Sequence, residues 1–127
     1  MTRDEVMRWV AGYELAWQDE DLDGVERLFT VDARYRPSPY DEPKVGHDAI
    51  KAFWQDDEGT TFSMTTELVA VEDDSAVVRV KVRYGDESGT VSQEYLDLWV
   101  LHFADDGRVD DFEEWAYWPG KPSSAQH

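Results

Sequence analysis

The chain contains no cysteine, which excludes disulfides, thiolate nucleophiles and thiolate metal sites. Basic residues are scarce: twelve Lys and Arg stand against twenty-nine Asp and Glu, for a formal net charge of −17. An excess of that size repels phosphate backbones and anionic lipid head groups, so neither nucleic acid nor a membrane surface is expected as a partner. It also keeps a protein soluble by itself and requires no cationic partner. Long apolar runs are missing too. Nothing approaches the roughly eighteen residues of a membrane span, and the opening Met1-Thr2-Arg3-Asp4-Glu5 has no apolar stretch of the signal-peptide kind, which makes the cytoplasm the expected location.

What is present points to one folded core. In 127 residues, 41% are hydrophobic, with six Trp, six Tyr and five Phe. That is too much apolar surface for a disordered chain and too short a chain for two full cores. A single domain over residues 1–120 is expected, followed by a polar tail, 121–127, that frays. Thr2 and Glu5 have the spacing of a capping box. Val6, Trp9, Val10, Tyr13, Ala16 and Trp17 then recur with helical period, which predicts a first helix to about Asp19. A shorter helix is expected from Asp21 to Phe29, interrupted in pattern by Gly24, and a strand from Ala33 to Arg36. Pro37, Pro39 and Pro43 predict a loop without ladder bonds as far as Lys44. Ala49, Ile50, Phe53 and Trp54 then mark a third helix.

Beyond Thr60 the period changes to two. Thr61 to Val71, Ala76 to Tyr84, Val91 to Phe103 and Arg108 to Trp118 read as strands in consecutive hairpins, linked at Glu72-Asp73-Asp74-Ser75, Gly85 to Gly89 and Asp105-Asp106-Gly107. Helices followed by an antiparallel meander argue for an α+β fold with one sheet face packed on the helices.

Tyr13-Glu14-Leu15-Ala16-Trp17-Gln18-Asp19-Glu20-Asp21-Leu22-Asp23-Gly24, then Leu28-Phe29, Asp32-Ala33, Glu42-Pro43-Lys44-Val45-Gly46 and Asp48-Ala49-Ile50, resemble the nuclear transport factor 2-like superfamily, which includes ketosteroid isomerase and SnoaL-like cyclases. The resemblance covers nearly the whole chain. It implies a cone: three N-terminal helices in the concavity of a strongly curved, mainly antiparallel sheet, around a hollow for a small hydrophobic molecule. Such folds commonly dimerise through the outer sheet face. Of the ketosteroid isomerase functional positions, the helix-one Tyr corresponds to Tyr13, but the base falls on Pro37 and the oxyanion acid on Trp99. The Asp–His dyad of dehydratase-like relatives is absent, with Gln18 at its helix position and no His in Thr61 to Val71. The epoxide-hydrolase relatives require an Arg between paired Asp residues.

If Trp99 faces inward, alternation carries Tyr95, Asp97, Leu101 and Phe103 inward with it, and Phe112, Glu114, Ala116 and Trp118 inward on the last strand. Asp97 and Glu114 then converge on an apolar hollow, where desolvation and like charge raise carboxyl pKa values and suit the pair to acid–base catalysis. Alternatively, they lie hydrated at the rim or are held by Arg34, Arg36 or Arg83. Tyr13 is the candidate oxyanion donor, or else a core Tyr. Trp17, Tyr35, Trp54, Trp99, Phe112 and Trp118 are candidate substrate-binding walls, or simply core. His47 is expected at the surface and His102 on the outer face. No residue cluster has metal-ligand spacing, the acidic Gly85 to Gly89 link is no phosphate loop, and no cofactor is implied. The expected function is cofactor-independent acid–base chemistry (isomerase, cyclase, dehydratase or hydrolase type) on a small aromatic or polycyclic substrate; the alternative is a non-catalytic ligand-binding or dimerisation module. Leu96, Leu98, Val100, Trp115 and Tyr117 predict an apolar outer patch and hence a homodimer.

Overall fold

The computed structural model describes residues 1–56, 61–85 and 91–118. The Gly85 to Gly89 link, beyond Gly85 itself, and the tail from Lys121 lie outside them. Helix α1 spans Arg3–Gln18 and opens with the expected capping box: Thr2 Oγ1 accepts from the Glu5 backbone N–H at 3.1 Å, and Glu5 Oε1 accepts from the Thr2 N–H at 3.0 Å. Reciprocal capping satisfies donors that the helix leaves open. The buried stripe is Val6, Trp9, Val10, Tyr13 and Ala16, as the period required.

Helix α2, Gly24–Leu28, is shorter than the sequence suggested, because Phe29 is already extended (φ −122°, ψ 147°) and begins strand β1, Phe29–Arg36. Strand β1 therefore starts four residues before the expected Ala33. Its early half was hidden by an irregularity between Phe29 and Arg34, where the pairing register shifts and the two-residue alternation is lost. Strand β2, Lys44–Val45, pairs with Arg34 and Tyr35, so the proline loop ends in a short ladder one residue earlier than expected. Gly46 follows at φ +89°, a left-handed turn that suits glycine, and leads into α3, His47–Asp56.

Strands β3 (Thr61–Glu72), β4 (Ser75–Gly85), β5 (Val91–Phe103) and β6 (Val109–Tyr117) form the predicted meander. The sheet order is β2-β1-β6-β5-β4-β3, antiparallel throughout except that β1 and β6 run parallel. This curved sheet and the helices make the α+β cone. Its inner face carries Val78 and Val80 of β4, Trp99, Leu101 and Phe103 of β5, and Phe112 of β6, all buried with the α1 stripe in one core. Leu98, Val100 and Trp115 alternate to the outer face and are 39%, 38% and 38% exposed. Among the described residues no helix is long and apolar enough to cross a membrane.

Gly24 is a point of close approach between α1 and α2, since a Cβ built there would meet Ala16 Cβ at 2.6 Å. The Gly24→Ala variant should therefore lose about 1–3 kcal/mol of stability despite the better helix propensity of alanine, because both contacting atoms are fixed to backbone. Urea unfolding reads this directly; an unchanged or raised midpoint would show that α2 yields without cost.

Candidate active site

Two tyrosines meet inside the cone because two periodicities converge on one point. The α1 stripe turns Tyr13 inward, and β1 alternation turns Tyr35 inward between outward-facing Arg34 and Arg36. Their hydroxyl oxygens lie 3.0 Å apart in a buried hydrogen bond. The Phe112 ring is parallel to both, with centroid separations of 4.5 Å from Tyr35 and 5.8 Å from Tyr13, and the Trp99 ring lies 4.6 Å from Tyr13. These contacts enclose both rings, so the hydroxyl pair is held by packing as well as by its single hydrogen bond.

Two carboxyls share this interior. In the β5–β6 register Asp97 lies opposite Ala116 and Trp99 opposite Glu114, so Asp97 and Glu114 are diagonal neighbours on the inner face. Asp97 is only 4% exposed. Trp99 Nε1 donates to Asp97 Oδ2 at 3.2 Å, whereas buried Oδ1 has no well-aligned partner. Burial pushes the Asp97 carboxyl above the usual range, an effect partly offset by hydrogen bonding with Glu114, Trp99 and the backbone of Leu98 and Trp115. Like charge on diagonal neighbours in this interior disfavours ionising both carboxyls at once. Glu114 is half-buried and is the more accessible member. Burial, reinforced by the negative charge of Glu114 and Asp97, pushes the Tyr13 hydroxyl well above its usual pKa. For Tyr35 burial again acts first, followed by Tyr13 and the same two acids. Both phenols stay protonated. One hydrogen joins the pair and the other is left to donate elsewhere.

The aromatic candidates divide in two. Trp99, Tyr35, Phe112 and Trp54 are buried in ring-to-ring contact and form a packed floor, with Trp54 Nε1 left without a hydrogen-bond partner. Trp17 and Trp118 are half-buried, Trp17 near the end of α1 beside Tyr13 and Trp54, and Trp118 just past β6. Trp118 is joined by Tyr95 and Tyr84, which sequence reasoning left out of the site: Tyr95 packs edge-on to Trp118 at 5.6 Å and to Tyr84 at 5.7 Å. Strand parity pointed Tyr95 inward, and the same parity would have marked the Tyr35 hydroxyl as more than a wall.

The arginines that could have held the acids are engaged elsewhere or face out. Arg36 approaches Glu113 at 3.8 Å, Arg83 donates to Glu94 at 2.9 Å, and Arg34 is exposed. His47, expected at the surface, is half-buried; its Nε2 lies 2.8 Å from the Phe29 carbonyl oxygen because the start of α3 packs against the start of β1. His102 is on the outer face as expected, 2.6 Å from Asp110, and that carboxylate raises its pKa.

A sequence model of the SnoaL-like domain matches residues 8–112. The chain belongs to the SnoaL-like domain family, within the nuclear transport factor 2-like superfamily. Similar solved structures include the epoxide hydrolase/cyclase-like enzyme SalBIII, described in pyran ring formation in the polyether salinomycin (18% identity, 88% of each chain covered, TM-score 0.71). A protein from Kribbella flavida provisionally named a ketosteroid isomerase aligns with 21% identity over 91% of this chain and 78% of that one, TM-score 0.69. An NTF2-like protein of unknown function from Burkholderia pseudomallei aligns with 23% identity over 90% of each chain, TM-score 0.67. At these identities the likeness is one of fold, among isomerase and cyclase neighbours. No curated protein matches the chain.

The raised Asp97 pKa has a stability consequence with a definite sign. A carboxyl whose pKa is higher folded than unfolded favours the native state while protonated, and that support is lost as pH rises through the folded value. The Asp97→Asn variant removes the ionisation while keeping the shape. Its stability relative to the unsubstituted protein should therefore climb between pH 4 and pH 8. Urea midpoints at the two pH values measure it, and a pH-independent difference would contradict a desolvated, titrating Asp97.

Proposed function

We propose that this SnoaL-like domain is a cofactor-independent acid–base enzyme acting on a small hydrophobic, aromatic or polycyclic substrate at the inner face of the cone. The observation that carries the reading is the meeting of the Asp97–Glu114 carboxyl pair with the Tyr13–Tyr35 hydroxyl pair in one apolar interior. The similarity to isomerase and cyclase structures is consistent with it, although a shared fold does not fix a reaction. Burial divides the roles. Glu114, the accessible acid, exchanges a proton with substrate, and Asp97, enclosed behind it, holds the shared proton and sets the affinity of Glu114 for it. Tyr13 and Tyr35, kept neutral, act together as the donor to oxygen charge that develops as the proton moves. Trp17 and Trp118, with Tyr95, guide a flat substrate, over a floor of Trp54, Trp99 and Phe112. Isomerisation, cyclisation, dehydration and hydrolysis all draw on this one proton-transfer device.

The mutational pattern distinguishes catalysis from simple binding. With a turned-over aromatic or polycyclic ketone, Glu114→Gln should abolish turnover and leave binding nearly intact. Asp97→Asn should retain activity with a shifted pH profile, and Tyr13→Phe should lower kcat by about 10²–10³-fold. Steady-state kinetics beside calorimetric binding checks this. Ligands that bind every variant and are turned over by none would favour the non-catalytic binding module.

We infer in addition that the partner of the outer sheet face is a second copy of this chain. Register brings Leu98 opposite Trp115 and Leu96 opposite Tyr117, so a contiguous apolar patch runs across β5 and β6, with Leu96 54% exposed. A two-fold packing of sheet on sheet buries such a patch against itself. Sedimentation equilibrium at micromolar concentration should give twice 14.7 kDa, and Trp115→Glu should return the mass to that of one chain.

A further inference from the structure

The placement of charge around the inner site narrows the substrate class that the proposed acid–base reading leaves open. Eleven of the twelve Lys and Arg residues lie among the described residues. On β4 the side chains of Arg79, Lys81 and Arg83 face outward and pair with Glu67 and Glu94, and on β1 Arg34 and Arg36 also face outward. The described cations of the helices and loops are exposed or paired with carboxylates remote from the interior, as Lys51 is with Glu26 and Arg108 with Asp106. No described Lys or Arg is thus directed at the inner face beside Asp97. The interior nevertheless holds two carboxyls, one with a buried oxygen, Oδ1, that lacks a well-aligned hydrogen bond. Half-buried Trp17, Tyr84 and Tyr95 pack against the same core, and the Trp99 ring touches Asp97 directly.

We propose that the site takes a substrate that carries a positive charge next to its aromatic or polycyclic body, such as a protonated amine, and rejects anionic analogues of the same shape. Three terms act in the same direction. The carboxyl pair retains negative charge after sharing a proton, and in a weakly polarisable interior that charge is little screened. The faces of Trp and Tyr are themselves negative and attract a cation, the more so when it is desolvated. The −17 surface raises the local concentration of cationic ligands before they enter. An anion meets all three terms with the opposite sign, and described residues offer it no cationic partner inside.

Calorimetric titration with three probes of one shape tests this: 2-naphthylmethylamine as its ammonium form, neutral 2-naphthylmethanol, and 2-naphthoate, at pH 7.5 in 0.15 M salt. The amine should bind at least about tenfold more tightly than the alcohol, with the carboxylate weakest. Glu114→Gln should remove most of the amine's advantage and leave the alcohol's affinity unchanged. Glu113→Gln, one residue away but on the outer face, should change neither. Comparison among the three probes needs no variant, so misfolding of Glu114→Gln would not rescue a failed result. If the alcohol or carboxylate binds as well as the amine, the charge inference is overturned while the inner ligand site survives. If the amine's advantage falls equally in both glutamine variants, it comes from diffuse surface charge and the inference is again overturned. If none of the three binds, the interior is not a ligand site and the proposed function fails with it.

Discussion

The seating of one helix in one sheet by aromatic rings governs the rest of the molecule. Trp9 contacts the rings of Phe29, Trp99, Phe103 and Phe112 at centroid distances of 5.7–6.4 Å, and its indole N–H donates to the Leu28 carbonyl oxygen at 2.9 Å. One α1 side chain thereby ties together α2, β1, β5 and β6. Large rings bury more area per residue than aliphatic side chains and prefer angled contacts, so the arrangement fixes both the depth and the rotation of α1. Tyr13, one helical turn further on, inherits that rotation. Its hydroxyl therefore meets Tyr35 as a consequence of how Trp9 is seated.

The same packing sets the electrostatics. Rings that fill the narrow part of the cone exclude water from Asp97, which is why a single carboxyl on an otherwise apolar strand face departs from ordinary titration. Trp99 has a double part, as floor of the interior and as donor to Asp97. Chemistry here depends on a core residue that would otherwise be explained by volume alone. Removing such a ring both opens a cavity and strips a hydrogen bond from a buried acid, two losses that add at one position.

Most of the fold was legible because its elements have strong periods. The helical stripe from Val6 to Ala16 and the two-residue alternation from Ala76 to Val82 and from Tyr95 to Phe103 reappear almost residue for residue. The inward direction of Asp97 and Glu114 followed from parity once the resemblance had placed Trp99 on the inner face. Where the reading failed, tertiary pairing overrode the local signal. Phe29 to Asp32 does not alternate, and it is a strand only because β6 lies beside it. Likewise His47 has a surface-like sequence context, and the carbonyl that draws it in belongs to a distant residue. The Tyr13–Tyr35 bond was invisible for a related reason: each tyrosine was placed correctly on its own element, but nothing in either segment specifies the distance between elements. The division of labour between Glu114 and Asp97 is likewise a matter of depth along the inner face, which parity does not encode.

The parallel pairing of β1 with β6 bears on how the protein is made. Strand β6 sits between β1 and β5, so β1, made before the meander, joins it only through β6, which is made after the rest of the meander. Until Val109 to Tyr117 emerge, β1 lacks that neighbour, and the apolar stripe of α1 lacks Phe112. The hairpins of the meander can pair locally, whereas the β1–β6 seam joins segments far apart in sequence and favours late closure. Until that seam closes, the nascent chain keeps part of its aromatic helix face uncovered. Its large negative charge is then as useful to the unfinished chain as to the finished protein, because mutual repulsion holds exposed rings of neighbouring nascent chains apart.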